Sequence, residues 1–370
     1  MRIAYISLHW PRTRNSGVGK KLQRQVTAWR MAGHEARLFM HTSRYEPSSE
    51  LIEAEVFSYE TGGKLKTELT RSQAMGRMLK TVGSFHPDVI YLRSGMYVFP
   101  AHRLMALAPV VMEINTNDLT QHEGLGGIYS LYNRLTRGLF LRRARGLVSV
   151  SRELVISPSF AVYRKPARVI ANGIDLENFN PLPAPANSIP RLAFIGNPGY
   201  IWHGVDKLVA LAHNCPDLMI DVIGYDQIPF TDAVPMNLIL HGYLSAEAYL
   251  RILAGADAAV SSLGLHRIGL EEASPLKSRE CLALGLPLVL AYIDTDLHDL
   301  DCDFLLKIPN KEDNIQTHGE MIRAFVYRVR GCRADRKLLA PRIDARYKEV
   351  RRLEFFQEVI NLDSGVRKLA

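Results

Sequence analysis

Cysteine is scarce in this 370-residue sequence, and long apolar runs are absent. The four cysteines, Cys215, Cys281, Cys302 and Cys332, form no Cys-x-x-Cys pair. We therefore expect a reducing compartment, with neither a disulfide framework nor a zinc site. No stretch approaches the roughly 18 consecutive apolar residues of a transmembrane helix. The N-terminal MRIAYISL lacks a small-residue cleavage site and predicts a first strand instead of a signal peptide, so a cytoplasmic protein is expected.

Acidic residues are scarce in the first half of the chain. Residues 1–180 carry 25 Lys and Arg against 14 Asp and Glu (net +11), whereas the remainder carries 21 against 24 (net −3). This asymmetry indicates an anionic partner for the first half. Because the sequence has no polybasic run and no nucleic-acid motif, it predicts no nucleic-acid partner and favours an anionic membrane surface or a phosphorylated acceptor. A solubilising charge excess is the alternative.

The length and the order of apolar runs predict two α/β domains. One hydrophobic core rarely grows to this size, and short apolar runs alternate with segments of helical period, as in proteins built on parallel sheets. The alternation of predicted strands and helices begins again at RLAFIG (191–196). The proline-rich NPLPAPANSIP before it predicts an interdomain linker. We expect an N-terminal domain over 1–178 and a C-terminal domain over 179–345. A charged amphipathic helix over 346–370 is expected to pack back toward the N-terminal domain.

Both domains are predicted to be Rossmann-like and to face each other across a cleft. Open parallel sheets bind ligands outside the carboxyl ends of their strands, which is where such a cleft would lie. The architecture favours a cleft enzyme or a nucleotide-binding protein.

The stretch EEASPLKSRE (271–280) contains the densest group of candidate site residues. Ser274 and Pro275 predict a helix start, with serine as N-cap and proline at the first helical position. Lys277 then lies in the first turn, where a cation is unfavourable unless an anion binds, and the exposed amides there suit a phosphate. Glu280 is spaced to accept hydrogen bonds from vicinal hydroxyls such as those of a ribose. Glu272, just outside the helix, could reach a second polyhydroxyl group.

The alternative for this stretch is a solvated helix in which Lys277 pairs with Glu280 at i, i+3. The following run, CLALGLPLVLAY, is too apolar for a surface. A charged group at the start of a buried helix therefore favours a site.

Several stretches, in order along nearly the whole chain, carry one resemblance. Glu272 and Glu280, with seven residues between them, precede a small-residue helix and GLPLVLA. SGVGKK (16–21) follows the first strand, and VIANGID (169–175) ends the first domain. HGVDKLVALA (203–212) and HGYLSAEAYLRILAGADAAV (241–260) occur in the second domain. The ordered set resembles family 4 of the glycosyltransferases, which are retaining enzymes with the GT-B fold.

The resemblance implies a nucleotide-sugar donor, bound by the C-terminal domain without an obligatory metal or other cofactor. Glu280 would bind the ribose, Glu272 would face the transferring sugar, and the backbone around Leu276 and Lys277 would hold the diphosphate. Catalytic roles are assigned to Glu272 and Lys277, and donor contacts to the following residues: Gly196, Asn197, His203, Ser274, Leu276, Lys277 and Glu280. The implied function is transfer of the sugar, with retention, to a glycan or lipid-linked acceptor in cell-surface polysaccharide or glycoconjugate synthesis.

One loop departs from the family pattern. Members commonly carry an Arg and a Lys after the first donor-domain strand, but here Asn197 and His203 occupy those positions. His203 could serve if it is protonated beside a phosphate, and Lys277 could supply the missing fixed charge. The alternative for His203 is a histidine packed beside Trp202.

On the acceptor side, Gly17 and Gly19 follow a strand and open a helix, which gives a close-approach loop with free amides. The resemblance implies that this loop contacts an acceptor or a phosphate. It is not a P-loop, because Lys21 stands where a P-loop has Ser or Thr. Arg93 and Asn115 end two predicted parallel strands and are expected to point at the cleft. Asn117 and Asp118 stand where some relatives have an acceptor-binding histidine, so no general base is assigned, and loop and capping roles are an equal alternative for them.

Three other functions were weighed. Asp294 and Asp296 form a DxD motif that could hold a divalent cation against a diphosphate in a metal-dependent glycosyltransferase, although turn or capping roles are favoured. The second alternative is a nucleotide-sugar-binding subunit without catalysis. It is favoured because Asn197 and His203 replace the Arg and Lys common in the family. A nicotinamide-dependent dehydrogenase is disfavoured, because no GxGxxG follows the first strand.

Overall fold

The computed structural model describes residues 1–8, 17–43, 54–123, 126–228 and 234–369. Ser16, the first residue of the glycine-containing SGVGKK stretch, lies outside them. The chain divides into two compact units, one formed by Met1–Ile170 with Lys348–Ala370 and the other by Ala171–Tyr347. The first unit therefore ends at Ile170, whereas the sequence predicts a boundary after residue 178.

A parallel seven-stranded sheet, in the order β3-β2-β1-β4-β5-β6-β7, forms the centre of the first unit. Its strands are β1 (Arg2–Ser7), β2 (Glu35–Thr42), β3 (Ala54–Ser58), β4 (Val89–Arg93), β5 (Val110–Ile114), β6 (Gly146–Ser149) and β7 (Ala167–Val169). The helices between them are α1 (Gly17–Met31), α2 (Lys64–Phe85), α3 (Asp118–Glu123), α4 (Gly127–Thr136), α5 (Gly138–Leu141), α6 (Arg152–Ile156) and α7 (Pro158–Ala161), with a 3₁₀ helix at Ala101–Ala106. The strand order reverses between β1 and β4, so the carboxyl ends of these two strands mark the expected ligand-binding edge.

Both faces of this sheet are buried. Along β1, Ala4 and Ile6 pack on one face, and Ile3 and Tyr5 pack on the other, because successive side chains of a strand point to opposite faces. Near-continuous apolar strands such as RIAYIS are typical of parallel sheets that are covered on both sides.

The second unit is built around a parallel six-stranded sheet in the order β10-β9-β8-β11-β13-β15 and a small parallel pair, β12-β14. Its strands are β8 (Arg191–Ile195), β9 (Met219–Ile223), β10 (Leu238–Leu240), β11 (Ala258–Val260), β12 (Glu272–Ala273), β13 (Leu288–Leu290), β14 (Ile293–Asp294) and β15 (Leu305–Lys307). Its helices are α8 (Val205–Asn214), α9 (Ala246–Gly255), α10 (Leu276–Ala283), α11 (Asn314–Arg328) and α12 (Arg336–Ile343), with 3₁₀ helices at Leu176–Asn178, Ile201–His203 and Leu265–Ile268. The order reverses between β8 and β11, as it does between β1 and β4. The predicted α/β class with parallel sheets is confirmed.

The final helix, α13 (Ala345–Leu369), joins the first unit from Lys348 onward. Phe355, Phe356 and Val359 pack into the same cluster as Trp29 and Tyr5 of that unit. Trp29 also donates its indole N–H to the Glu349 carboxylate at 2.8 Å. This amphipathic helix therefore completes one face of the first sheet.

The proline-rich segment 180–190 differs from the predicted linker, because it lies within the second unit. The prolines keep it free of regular structure, as expected. Its carbonyls are satisfied by Arg333, which donates to the backbone oxygens of Leu182 and Pro183. Asn187 donates its side-chain amide to Asp257 at 2.8 Å.

Glycine ends two of the predicted helices. Gly33 follows α1 with φ +84°, and Gly285 follows α10 with φ +86°, the left-handed conformation that glycine adopts after a helix. Among the described residues, no helix is both long and apolar enough to span a bilayer.

Candidate functional site

The start of α10 differs in detail from the prediction. Pro275 is the N-cap, with β-region φ and ψ, and Leu276 is the first helical residue. Ser274 does not cap the helix. Its hydroxyl instead accepts hydrogen bonds from the Asn172 backbone N–H and from Arg279 Nη2, both at 2.9 Å. The amides of the first turn precede any intrahelical acceptor, as at every α-helix start.

Lys277 lies in this first turn, as predicted. Its Nζ atom is buried and has no hydrogen-bond partner among the described residues. Burial lowers the pKa of Lys277 to about 8, against the attraction of Cys281 and Glu280. A buried cation without a hydrogen-bond acceptor is costly in a folded protein, and a bound anion would offset that cost.

Gly196 and Asn197 follow β8 in a tightly packed turn. A Cβ atom at Gly196 would lie 2.4 Å from the Tyr225 ring and 2.5 Å from the Phe194 ring, so only glycine fits. The Asn197 backbone N–H donates to His203 Nδ1 at 3.2 Å, and Tyr225 donates its hydroxyl to the Asn197 carbonyl at 2.7 Å. The turn therefore fixes the imidazole of His203.

His203 is neutral. Burial and the nearby charge of Lys277 lower the pKa of His203 to about 3. Its Nδ1 lies 3.2 Å from the Asn197 backbone nitrogen, 3.1 Å from the Asn197 carbonyl oxygen and 3.0 Å from the Tyr225 hydroxyl. The cation that the sequence suggested at this position is absent near neutral pH, and the imidazole packs against Tyr200 and Trp202.

Glu280 is positioned by a residue that the sequence reasoning missed. The Tyr249 hydroxyl of α9 hydrogen-bonds to the Glu280 carboxylate; burial, with the charges of Cys281 and Glu280, raises the pKa of Tyr249. A carboxylate that is held by a phenol keeps a defined orientation toward any hydroxyl ligand.

Hydroxyl groups tie α10 to the end of β11. Ser261, just after β11, lies 2.8 Å from Ser278 and 2.8 Å from the Tyr292 hydroxyl, which is itself 2.9 Å from Ser278. Ser278 is the third residue of α10. The first turn of α10 is thus anchored at the strand end where the order of the second sheet reverses, which is the expected binding edge.

Arg279 of α10 forms buried ion pairs with two aspartates. It is fully buried and binds both carboxylate oxygens of Asp294 at 2.7 and 2.8 Å and Asp296 at 3.0 Å. Asp294 also accepts the backbone N–H of Asp296 at 3.0 Å, the turn role that the sequence favoured. The two aspartates of the DxD motif are therefore ion-pair and turn residues. An arginine in a helix that leads into the apolar run CLALGLPLVLAY is the signal that could have predicted a buried acid.

Glu272 lies in β12, which pairs with β14 in the register Glu272↔Ile293. The neighbouring Glu271 accepts a hydrogen bond from Asn310 at 3.0 Å. Glu272 is half-buried, in the strand that ends just before α10. Of the predicted donor residues, Asn197 hydrogen-bonds to His203, and Lys277 interacts electrostatically with His203 and Glu280. Ser274 is used internally.

In the first unit, Arg93 contacts the buried carboxylate of Glu113, which the sequence reasoning missed, and Asn115 is linked to it through Lys21. Glu113 of β5 accepts from Lys21 at 2.6 Å, from Arg93 at 3.2 Å and from the Tyr5 hydroxyl at 2.8 Å. Lys21 also donates to the Asn115 side-chain oxygen at 3.2 Å, while Asn115 Nδ2 is buried without a partner among the described residues. A glutamate within an apolar strand was the available signal.

Nearby cations outweigh burial in setting the pKa of Glu113. Burial alone would raise the pKa of Glu113, yet the charges of Lys21 and Arg93 hold it well below its usual range. Gly17 and Gly19 lie in the first turn of α1, the helix that carries Lys21. They open the helix as expected and belong to it from Gly17 onward.

The INTND segment has structural contacts. Asn117 accepts the Leu119 backbone N–H at 3.2 Å, the capping role that the sequence allowed. Asp118 binds Arg137 through both of its oxygens at 2.8 Å. Within the ranges that the structure describes, no group of three or more His, Cys, Asp or Glu side chains is placed to hold a metal ion.

Comparison with known proteins finds one family match, to the first part of the chain. The family model of the glycosyl transferase 4-like domain matches residues 16–173. No curated protein sequence matches the chain.

Solved structures match nearly the whole chain. A lipopolysaccharide outer core galactosyltransferase in its apo form is 10% identical, with a TM-score of 0.68, over 97% of this chain and 100% of that one. An Anabaena protein in complex with UDP and glucose is 15% identical, with a TM-score of 0.63, over 97% and 100%. An alpha-glucosyltransferase in complex with UDP and a 13-mer DNA is 15% identical, with a TM-score of 0.60, over 96% and 99%.

At these identities the structural likeness shows the fold, and the domain match shows the family of the first half. The resemblance to family 4 is therefore confirmed: this chain carries a glycosyl transferase 4-like domain over residues 16–173 and has the GT-B fold of the glycosyltransferases.

Proposed function

We propose that this chain is a retaining glycosyltransferase of the hexosyltransferase type that works without a metal. It moves a sugar from a nucleotide-sugar donor to a glycan or lipid-linked acceptor in cell-surface polysaccharide or glycoconjugate synthesis. The second unit binds the donor, and the first unit supplies acceptor contacts.

The buried ammonium of Lys277 is the observation that carries the proposal. It has no hydrogen-bond partner among the described residues and lies in the first turn of α10. Free amides and one cation at a helix start suit a diphosphate. That two solved structures with this fold contain UDP supports a nucleotide donor.

In the proposed reaction, the diphosphate departs while positive charge develops on the sugar ring. Lys277 and the amides near Leu276 stabilise the leaving group, which is the main catalytic need of such a transfer. Glu280 binds the ribose hydroxyls in an orientation set by Tyr249, and Glu272 faces the sugar. Gly196, Asn197 and a neutral His203 line the donor side.

We propose that Gly17, Gly19, Arg93 and Asn115 contact the acceptor. The buried, unpartnered Nδ2 of Asn115 and the cations around Glu113 support an anionic or polyhydroxyl ligand. We further propose that the protein is cytoplasmic and works at an anionic membrane surface. The absence of a nucleic-acid partner stays a prediction, because one structure with this fold contains DNA.

A catalytically impaired nucleotide-sugar-binding subunit is the second candidate. It is favoured by the loop after β8, where Asn197 and an uncharged His203 replace the cations common in the family. Such a protein would bind nucleotide and release no product.

A turnover assay separates the two candidates. The chain is incubated with a panel of nucleotide-sugars and with cell-envelope glycolipid extracts, with and without EDTA, and release of the nucleoside diphosphate is measured. We expect release from one donor, unchanged by EDTA, and loss of at least about 100-fold in Lys277→Met but not in the exposed control Lys337→Met. The anomeric configuration of the product, read by NMR, tests retention. Binding without release in any mixture contradicts the enzyme and favours the binding subunit, and loss of activity with EDTA contradicts metal independence.

A further inference from the structure

Helix α4 presents its apolar side to solvent. Ile128, Leu131, Tyr132 and Leu135 follow the i, i+3, i+4, i+7 spacing of a single helix face. Their exposed fractions are 82%, 58%, 37% and 73%. In a typical surface helix this face is buried against the core, so α4 has the reverse orientation.

Polar contacts fix this orientation. The residue of α4 that points inward is Asn133, only 2% exposed, which donates its side-chain amide to Asp118 at 2.7 Å. Arg137, just after the helix, binds the same carboxylate through two nitrogens at 2.8 Å. Rotating the helix to bury its apolar face would break these charge-assisted bonds, each of which is stronger than a neutral one. The apolar face is therefore held outward.

The segment around α4 is strongly basic. Residues 124–152 contain six arginines and neither Asp nor Glu; they are Arg134, Arg137, Arg142, Arg143, Arg145 and Arg152. Arg142, Arg143 and Arg145, together with Lys165, line a pocket of about 320 Å³ that also contains Met105 and Pro109. A pocket with four cationic walls suits a phosphate group.

We propose that α4 is an interfacial helix that lies in the surface of an anionic lipid bilayer. The exposed apolar stripe gives the buried area that such helices use, and the arginines of residues 124–152 other than Arg137, which is paired with Asp118, give the electrostatic attraction. The stripe and the adjacent Tyr129, 56% exposed, add the aromatic residues that favour the headgroup region. A second copy of this chain is less suited, because it would place two basic segments against each other.

This inference deepens the proposed function by naming the part of the chain that binds the membrane, and it rests on that function only for the location of the acceptor. Its test uses neither nucleotide nor acceptor. Failure of membrane binding and failure of sugar transfer can therefore be told apart.

Vesicle flotation tests the proposal. The full chain is mixed with vesicles of phosphatidylcholine alone or with 3:1 phosphatidylcholine and phosphatidylglycerol, at low and high salt. We expect flotation with the anionic vesicles only, weakened by salt because the attraction is screened. Leu131→Gln/Leu135→Gln should reduce the bound fraction by about tenfold or more, since two leucine side chains lose their apolar burial.

The control is Leu250→Gln/Leu338→Gln, two exposed leucines on α9 and α12 of the second unit. It should float like the unmodified chain. Arg142→Gln/Arg143→Gln provides a second variant and should lower binding to anionic vesicles by about tenfold without changing the melting temperature. Equal flotation of the α4 variant and the control, or no flotation of the unmodified chain, would overturn the proposal. So would a dimer in sedimentation that Leu131→Gln/Leu135→Gln dissolves, because the stripe would then cover a second copy.

Discussion

His203 and Lys277 share one electrostatic environment, in which burial and the charge of Lys277 lower the pKa of His203 to about 3. Lys277, with its own pKa lowered by burial to about 8, is then the cation of the pair at pH 7. The proposed donor site thus has one cation, a lysine in α10, where the family resemblance implies two cations in the loop after the first strand of the second unit.

Nucleotide affinity should fall as pH rises through about 8. A bound diphosphate favours the ammonium form of Lys277, so binding is strongest below the pKa of the free protein and weakens above it. We expect a loss of about tenfold for each pH unit above 8, until the pKa of the bound form is reached, measured as Kd for a nucleoside diphosphate between pH 7 and 9.5. Lys277→Arg keeps its charge over this range and should show a flat profile. A profile of the same slope in Lys277→Arg would assign the titration to another group.

Lys277→Met should stabilise the protein. Burial lowers the folded-state pKa below that of the unfolded chain, so at pH 7 the folded state bears the cost of a desolvated charge. Removing the charge should raise the free energy of unfolding by about 1–3 kcal/mol at pH 7. The difference should narrow above pH 8, where the buried lysine of the unmodified protein loses its proton. Urea denaturation at pH 7 and 9.5 measures it, and a destabilised Met variant would show that Lys277 has a partner.

Tyr249 should act by orienting Glu280. If Glu280 binds the vicinal hydroxyls, the protein should prefer a ribonucleoside diphosphate over its 2′-deoxy analogue by about tenfold or more, as expected for a hydrogen bond to a charged group. Glu280→Ala should abolish the preference, and Tyr249→Phe should reduce it several-fold. The exposed Tyr347→Phe is the control. Titration of each protein with both diphosphates measures the ratio of the two affinities. An unchanged ratio in Tyr249→Phe would show that Tyr249 has a packing role only.

Arg279 should be a stability residue of the donor unit. It neutralises Asp294, which is buried and would otherwise lack a countercharge. Arg279→Met should cost about 3–5 kcal/mol of unfolding free energy. Arg279→Met/Asp294→Asn should recover part of that loss, because the uncompensated charge is gone. Chemical denaturation of the three proteins tests this, and a double variant no more stable than Arg279→Met would contradict the pairing.

The sequence predicted what depends on local periodicity. The apolar runs MRIAYISL and RLAFIG predicted β1 and β8, and glycines at positions 33 and 285 end helices α1 and α10. Short strands such as β13 are set by pairing across the sheet, which a single segment does not reveal.

The site was predictable only in part, for the same reason. The position of Lys277 in the first turn followed from the SPLKSRE pattern, but the N-cap moved to Pro275 because Arg279 and Asn172 claim the Ser274 hydroxyl. Glu113 is a charge within an apolar strand, and its partners Lys21 and Tyr5 come from distant parts of the chain. Arg279 pairs with Asp294 and Asp296, which the sequence pattern does not join to it. Such pairs form only when the sheet brings strand ends together.

The most direct test of the central claim, that the start of α10 is a donor diphosphate site, is calorimetric titration with a panel of nucleoside diphosphates. The titrated proteins are the unmodified chain, Glu280→Ala, Lys277→Met and the exposed control Glu247→Ala. The account predicts that one nucleotide binds, that Glu280→Ala and Lys277→Met each weaken it by about tenfold or more, and that Glu247→Ala binds normally. Absence of binding by every nucleotide, or equal affinity in all four proteins, would contradict the assignment of this helix start to a sugar donor.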